Sequence, residues 1–311
     1  MRHRYELTRE TSRRKNKLIS ICDELFPEFT AVMKDPPLPS ALAVRKQFPT
    51  PSAVASATLQ ALVAARPGHH PSDAKLAQLQ EFAKQSIGVK NITRQRTLIF
   101  EQNQLISELQ LLQQHLDAID AEIALLIERS REGCILTSIP GIGPIQAASI
   151  IAAIGHIDNF TSAAKLRSYF GWAPTVAQTG ISFDRAHLTK GGLRTMRQIM
   201  FLVACNAIRM ETEWASIYQR LVPLKWCWDE RTKSYKGRRK VIGRIAGQII
   251  STIYTLLKQD VETLRKYAGK EPPEPALYDP EVHKAHRSGQ YHTQKPKPAF
   301  GEIIHLPSQI S

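Results

Sequence analysis

The clearest pattern along the chain is a heptad. Leu98, Leu105, Leu112, Ile119 and Leu126 recur every seven residues, and Leu109, Leu116 and Ile123 fill the complementary positions. Gln102 is the polar exception among them, and neither Pro nor Gly interrupts residues 91–131. An apolar stripe of period 3.5 stays turned toward a partner helix, which predicts a coiled-coil helix over 91–133. The flanking positions carry no pattern of opposite charges, so an amphipathic helix packed inside one domain is the alternative reading. Upstream, Leu7, Leu18, Ile21, Leu25 and Phe29 predict one basic helix over residues 4–33, stopped by Pro36, Pro37 and Pro39. Residues 40–88 predict short helices punctuated by Pro49, Pro51, Pro67, Gly68 and Pro71.

Four segments result. Residues 1–90 form a helical connector region and 91–133 the coiled-coil helix. Residues 134–268 read as a compact, mostly helical domain. From 269 onward the chain has seven prolines and four histidines (His283, His286, His292 and His305), predicting an extended or disordered tail for 269–311. The pair His283 and His286 reads as solvated tail, because nothing nearby completes a tetrahedral metal set. The fold class expected is mainly α, with a long coiled-coil connector followed by a helical domain containing a helix-hairpin-helix motif.

Charge changes the picture. The 311 residues include 42 Lys and Arg against 28 Asp and Glu, a formal net charge of +14. Such a surplus points to a polyanion, above all nucleic acid, against the blander reading of a merely soluble basic protein. No run approaches the roughly 20 apolar residues of a membrane span. The N-terminus lacks the apolar core of a secretion signal. The four cysteines form no C-x-x-C pair, which disfavours a zinc knuckle or a disulfide scaffold. A cytoplasmic location is therefore expected.

Three constellations carry candidate chemistry. The first, Ile139-Pro140-Gly141-Ile142-Gly143-Pro144, lies between two apolar helical segments. Gly141 and Gly143 allow a sharp turn whose open amides, at a helix start, would grip one phosphate, with Ile142 as the anchor. A plain tight turn is the structural alternative. The second is a loop of small and hydroxylated residues, 171–182, followed by Leu188-Thr189-Lys190-Gly191-Gly192-Leu193-Arg194. Lys190, Arg194 and Arg197 beside a Gly-Gly turn suggest a phosphate cradle. A hydroxyl nucleophile near such cations suits phosphoryl transfer, because they stabilise charge developing on phosphate. The third is basic and aromatic. Residues 185–244 hold 14 Lys and Arg against 4 acidic residues. Trp226, Trp228 and Tyr235 interleave there with Lys236, Arg238, Arg239 and Lys240, as stacking of bases beside neutralised phosphates would require. The tryptophans could alternatively be core anchors.

The run from Leu136 to Arg209 resembles the C-terminal domain of bridge-RNA-guided insertion-sequence transposases related to the pilin-gene-inverting recombinase. The matching phrases are the Ile139–Pro144 turn, Phe160-x-Ser162-Ala163-x-Lys165-Leu166-x-Ser168-Tyr169-x-Gly171-x-Ala173-Pro174, Gln178-Thr179-Gly180-x-Ser182, and Leu188-Thr189-Lys190-Gly191-Gly192-Leu193-Arg194. The resemblance implies strand exchange in DNA transposition, with DNA, a structured guide RNA and further copies of the chain as partners. It also implies an upstream acidic domain holding Mg2+; no spaced carboxylates on strands precede residue 90, so that domain is expected to be missing or supplied by another chain. The chain itself is expected to hold no cofactor or metal. The family's nucleophilic serine precedes the glycine aligned with Gly180, where this chain has Thr179, and Ser182 is the nearest serine. Threonine can act as a nucleophile, although its extra methyl stiffens the side chain. A transposase, active or truncated, is thus the expected function. The alternatives are a non-catalytic nucleic-acid-binding protein and an adaptor dimerising through residues 98–126.

Overall fold

A computed structural model describes residues 1–179, 183–188, 191–210, 212–267 and 271–282, the side chains of 174–179 and 183–188 excepted. The chain divides into two compact units, Met1–Ala121 and Glu122–Ser311. Both are built mainly of helices, as the apolar periodicity predicts.

In the first unit, α1 (Arg2–Leu25) is followed by four short helices, α2 (Phe29–Val32), α3 (Pro39–Gln47), α4 (Pro51–Ser56) and α5 (Leu59–Ala65). Then come α6 (Asp73–Lys84) and the long α7 (Ile92–Glu128), which runs past the unit's boundary. The single helix expected over 4–33 is broken after Leu25, because Pro27 cannot supply a helical N–H. Pro39 and Pro51, expected as stops, instead occupy the first turns of α3 and α4, where a missing N–H costs nothing. Thr50 and Thr58 cap α4 and α5 by accepting from the amides of Ala53 and Ala61.

The heptad stripe has a partner within the chain. Leu98, Leu105 and Leu109 are buried with Leu18, Ile21 and Leu25 of α1. The ion pairs Arg4–Asp120, Arg14–Glu108, Lys17–Glu101 and Glu24–Arg94 set α1 and α7 antiparallel. Farther along, Leu126 is 67% exposed. Gln102, the polar exception, is fully buried, and its Oε1 accepts from Arg45 Nε at 3.0 Å and from a second guanidinium nitrogen at 2.6 Å. Gln102 Nε2 donates back to the Arg45 carbonyl at 3.2 Å. Arg45 also reaches the Leu18 carbonyl and lies over the Phe29 ring, and burial lowers its pKa from the usual arginine value. The guanidinium thus joins α1, α3 and α7 at one point.

The second unit runs through α8 (Arg131–Thr137), α9 (Pro144–Ile154), a 3-10 turn (Ile157–Asn159) and α10 (Ala163–Tyr169). The strands β1 (Pro174–Thr179) and β2 (Phe183–Leu188) follow, then α11 (Arg194–Arg209) and α12 (Glu213–Lys225). A short ribbon, β3 (Cys227–Asp229) and β4 (Ser234–Lys236), leads into α13 (Arg238–Lys266). Helix α13 is the centre of this unit. Val241, Ile245, Ile249, Ile253 and Leu256 present one apolar face to a core that includes Leu136, Ile150, Leu166, Val203 and Trp214. At its far end Asp260, buried, accepts from Arg131 at 2.9 Å.

Part of the expected extended tail is docked. Tyr278 stacks on Trp214 with ring centroids 6.5 Å apart, and its amide donates to Ser138 Oγ at 2.9 Å. His283 and His286 lie outside the described residues. No described helix is long and apolar enough to cross a membrane.

Replacing Gln102 with Leu is expected to destabilise the first unit by about 2–3 kcal/mol, since a buried charge loses its main acceptor. The double variant Arg45→Met with Gln102→Leu is expected to regain most of that loss in urea unfolding.

Candidate nucleic-acid interface

The turn between α8 and α9 is pressed into the unit. Ile139 and Ile142 are buried, and Gly141 adopts a φ of +88°. A Cβ at Gly141 would fall 2.7 Å from the Val203 carbonyl and 2.8 Å from the Ala207 nitrogen, so only glycine lets the turn approach α11 this closely. The sequence predicts open amides here, and the structure differs at two of them. Gly143 N–H donates to Gln146 Oε1 at 3.2 Å, and Ile142 N–H donates to the Ile139 carbonyl at 3.1 Å. For Gly143 the reason is one half of a capping box, in which Gln146, three residues on, reaches back to the helix start. The Ile142 amide is used in the turn's own backbone bond.

The stretch expected as a loop is an antiparallel strand pair. Its register runs from Pro174 opposite Leu188 to Thr179 opposite Phe183. β-Branched Thr175, Val176 and Thr179 suit the extended backbone. At the Pro174–Leu188 end the chain is pinched by two glycines. Gly171 and Gly192 have φ of +74° and +79°, and a Cβ on Gly192 would lie 2.5 Å from the Gly171 nitrogen. Leu193 N–H donates to the Tyr169 carbonyl at 2.8 Å, which closes the base of the arm. Thr179 sits at the opposite end, five residue steps away, or about 17 Å at the usual rise per residue. Ser182 and Lys190 lie outside the described residues.

The expected cradle of cations is divided. Arg197 is turned inward, donating to the Gly191 carbonyl, and a Cβ on Gly171 would meet its guanidinium at 2.7 Å. It braces the base of the arm. Arg194 is exposed at the first position of α11. The ladder therefore separates Thr179 from both arginines.

The basic ribbon is exposed, so Trp228 and Tyr235 are not core anchors; Trp226, just before it, is half-buried but lies outside the unit's core cluster. Trp228 and Tyr235 are 46% and 52% exposed and meet edge-on at 5.0 Å; Trp226 packs on Tyr235 at 4.5 Å. Lys236 is held by Asp229, and Arg238 donates to Tyr218 Oη. Hydrogen bonding to Lys236 and to backbone amides holds the Asp229 carboxyl below its ordinary pKa. Arg239 and Lys240 are exposed with no ion pair among the described residues. The first turns of α11 and α13 contain no acidic residue, although a helix start favours negative charge. Cations there add to the positive end of each helix, so positive charge is concentrated at both helix starts.

Several elements were not legible as site features: the Gly171–Gly192 contact, the inward Arg197, and an exposed row of Lys165, Ser168 and Tyr169 on α10. The last had a signal, since those positions sit at helical spacing within the quoted resemblance. Among the described residues no three His, Cys, Asp or Glu side chains converge on a possible metal position.

Residues 134–219 match the family model described as "Transposase IS116/IS110/IS902 family". The chain is also similar to the "Insertion element IS110 uncharacterized 43.6 kDa protein" of Streptomyces coelicolor, 30% identical over 154 residues. That match covers 50% of this chain and 36% of the relative. A second similarity, 31% identity over 134 residues, is to the "Pilin gene-inverting protein" of Moraxella bovis, covering 43% of this chain and 39% of that protein. The chain thus spans well under half the length of the curated relatives it matches.

The glycine pinch has a direct test. Gly192→Ala is expected to cost about 3 kcal/mol, from backbone strain plus the clash with Gly171. Gly68→Ala, at a φ of +80° with no atom near the added Cβ, should cost only about 1 kcal/mol in the same thermal unfolding series.

Proposed function

We propose, for a chain carrying the IS110-type transposase domain in residues 134–219, that it acts in DNA transposition by strand exchange, with Thr179 as nucleophile. The observation that carries this reading is the placement of Thr179: the residue before Gly180 ends a strand whose base is fixed by Gly171, Gly192 and Arg197. A hydroxyl carried at the end of a braced strand suits reaction with a phosphate on a large, stiff substrate, because the reacting group must be held in place while the substrate docks.

In the proposed step Thr179 Oγ attacks a backbone phosphorus, the Oγ–P bond forms, and the bond from phosphorus to one sugar oxygen breaks. The hydroxyl proton leaves Oγ and the departing sugar oxygen gains one. Another strand's hydroxyl then attacks the same phosphorus and loses its proton, the Oγ–P bond breaks, and Thr179 Oγ regains a proton, so one phosphodiester replaces another. Arg194, well removed from Thr179 along the arm, neutralises a different phosphate of the same substrate. Ser182 is the second candidate nucleophile and Lys190 a further phosphate partner. Arg239 and Lys240 extend the contact to more phosphates. Gly141, Ile142 and Gly143 contribute through the turn they shape, and Trp228 and Tyr235 offer ring faces to unpaired bases. The described residues do not form a site for the Mg2+ that the resemblance implies, and no proposed step passes through it.

A guide RNA and self-assembly are carried as parts of this proposal by the resemblance alone. Binding without chemistry is the second reading, favoured by the exposed aromatic ribbon, which needs no nucleophile.

Incubating the chain with labelled DNA in magnesium buffer and resolving it under denaturing conditions tests the first reading. A covalent adduct is expected for the natural sequence and for Thr179→Ser, and none for Thr179→Ala. Salt-dependent DNA binding by Thr179→Ala, with no adduct from any variant, would leave the binding protein.

A further inference from the structure

The row on α10 borders a cleft that the proposed chemistry does not use. An open cavity of about 600 Å³ lies between the 3-10 turn, α10 and the base of the arm, with Thr161, Lys165, Ser168, Tyr169 and Gly192 on its walls. That volume falls within the range of small-ligand sites. Lys165, Ser168 and Tyr169 follow one another at helical spacing, so all three side chains leave the helix on one side while Leu166 and Phe170 enter the core.

The exposed side chains that line the cleft are uncommitted. Lys165 has no carboxylate within ion-pair distance among the described residues, and the hydroxyls of Thr161, Ser168 and Tyr169 have no hydrogen-bond partner among them. The nearest acid in sequence is already spent: Asp158 is bound by Lys258 and Arg265 and stays ionised below its ordinary pKa, chiefly through the Lys258 bond. The local field at the cleft is therefore positive. The walls are firm. Tyr169 packs on Phe160 at 5.2 Å, and the Phe160 carbonyl accepts from Tyr254 Oη of α13 at 3.3 Å. The Tyr169 carbonyl takes the Leu193 amide that closes the arm, so the ring is tied to the strand pair that bears Thr179.

A cation, several free hydroxyls and a partly exposed aromatic ring converging on an open cavity match the parts of a nucleotide: phosphate, sugar and base. We propose that this cleft seats one nucleotide of a nucleic-acid strand, with its phosphate on Lys165 and Ser168 and its base or sugar against Tyr169. The proposal rests on the nucleic-acid reading above and adds to it a site at the base of the arm. Its consequence is positional: a strand held here is anchored about 17 Å along the arm from Thr179, which fixes the register of the strand relative to the hydroxyl.

The test uses the full chain and fluorescence-anisotropy titrations of labelled single-stranded DNA, single-stranded RNA and duplex DNA across a salt series. Lys165→Gln is expected to weaken binding and lower the slope of log affinity against log salt by about one contact's share, roughly 0.7–0.9. Tyr169→Ala is expected to weaken single strands roughly ten-fold. Ser168→Glu, a surface change that leaves the core untouched, should weaken binding at least as much as Lys165→Gln. Preference of the three probes tells which strand the cleft holds. Natural-sequence binding that survives all three changes, with thermal unfolding unaltered, overturns the cleft while sparing the function proposed above. No binding of any probe by the natural sequence at low salt overturns both.

Discussion

The arm of the second unit depends on two glycines meeting. Between Gly171 and Gly192 the backbone approaches so closely that a single methyl on either would strike the other strand of chain or the Arg197 guanidinium. Because both residues stand at positive φ, the contact also sets the direction in which the chain departs and returns. Twelve residues of strand follow from that one point, and so does the start of α11. Arg197, which from sequence alone belongs with the phosphate-binding cations, is consumed in bracing the contact. The loss of one cation from the surface is the cost of a fixed base for the arm.

Charge in the second unit is organised by helix ends more than by ion pairs. Acidic partners occupy many of the cations: Asp158 takes Lys258 and Arg265, Asp229 takes Lys236, and Asp260 takes Arg131. Of the cations with no ion pair among the described residues, some, such as Arg209, Lys225 and Lys266, sit in the last turns of helices, where they are favoured. Others stand where they are least favoured for stability, at the starts of α11 and α13. Arg194, Arg239 and Lys240 repel the helix dipole there, and Lys165 stands on a cleft with no acid in reach. A chain tolerates such placements when a ligand supplies the missing charge.

How much of this could be read from the residues depended on whether the deciding contact was local. The long helix was legible because its apolar stripe repeats for five heptads without a breaker. Its partner was not, since nothing in the stripe says whether α1 or a second copy will cover it. Gln102 looked like a flaw in the stripe; its explanation, Arg45, lies 57 positions away in the chain. Pro39 and Pro51 read as stops because proline marks a helix boundary without saying which side the helix is on. The strand pair at 174–188 was masked by small polar residues, though its β-branched positions carried the signal. The turn at Gly141 was legible as a turn, whereas its packing on α11 and the reach of Gln146 to Gly143 depend on tertiary placement. Tyr278 was hidden by the prolines around it, and only the ring of Trp214 shows why that part of the tail is held.

The central place of α13 has a consequence for how the protein comes into being on the ribosome. The first unit is closed by helices that lie wholly or mostly before residue 121, so it can fold while the rest is still being made. The second unit cannot: its α8, α9, α10 and α11 share a core whose largest single wall is α13, ending at Lys266. At ordinary synthesis rates of about 5–20 residues per second, those earlier helices wait several seconds or longer with apolar faces uncovered. The segment that must wait for its covering helix is thus the one that also carries the arm.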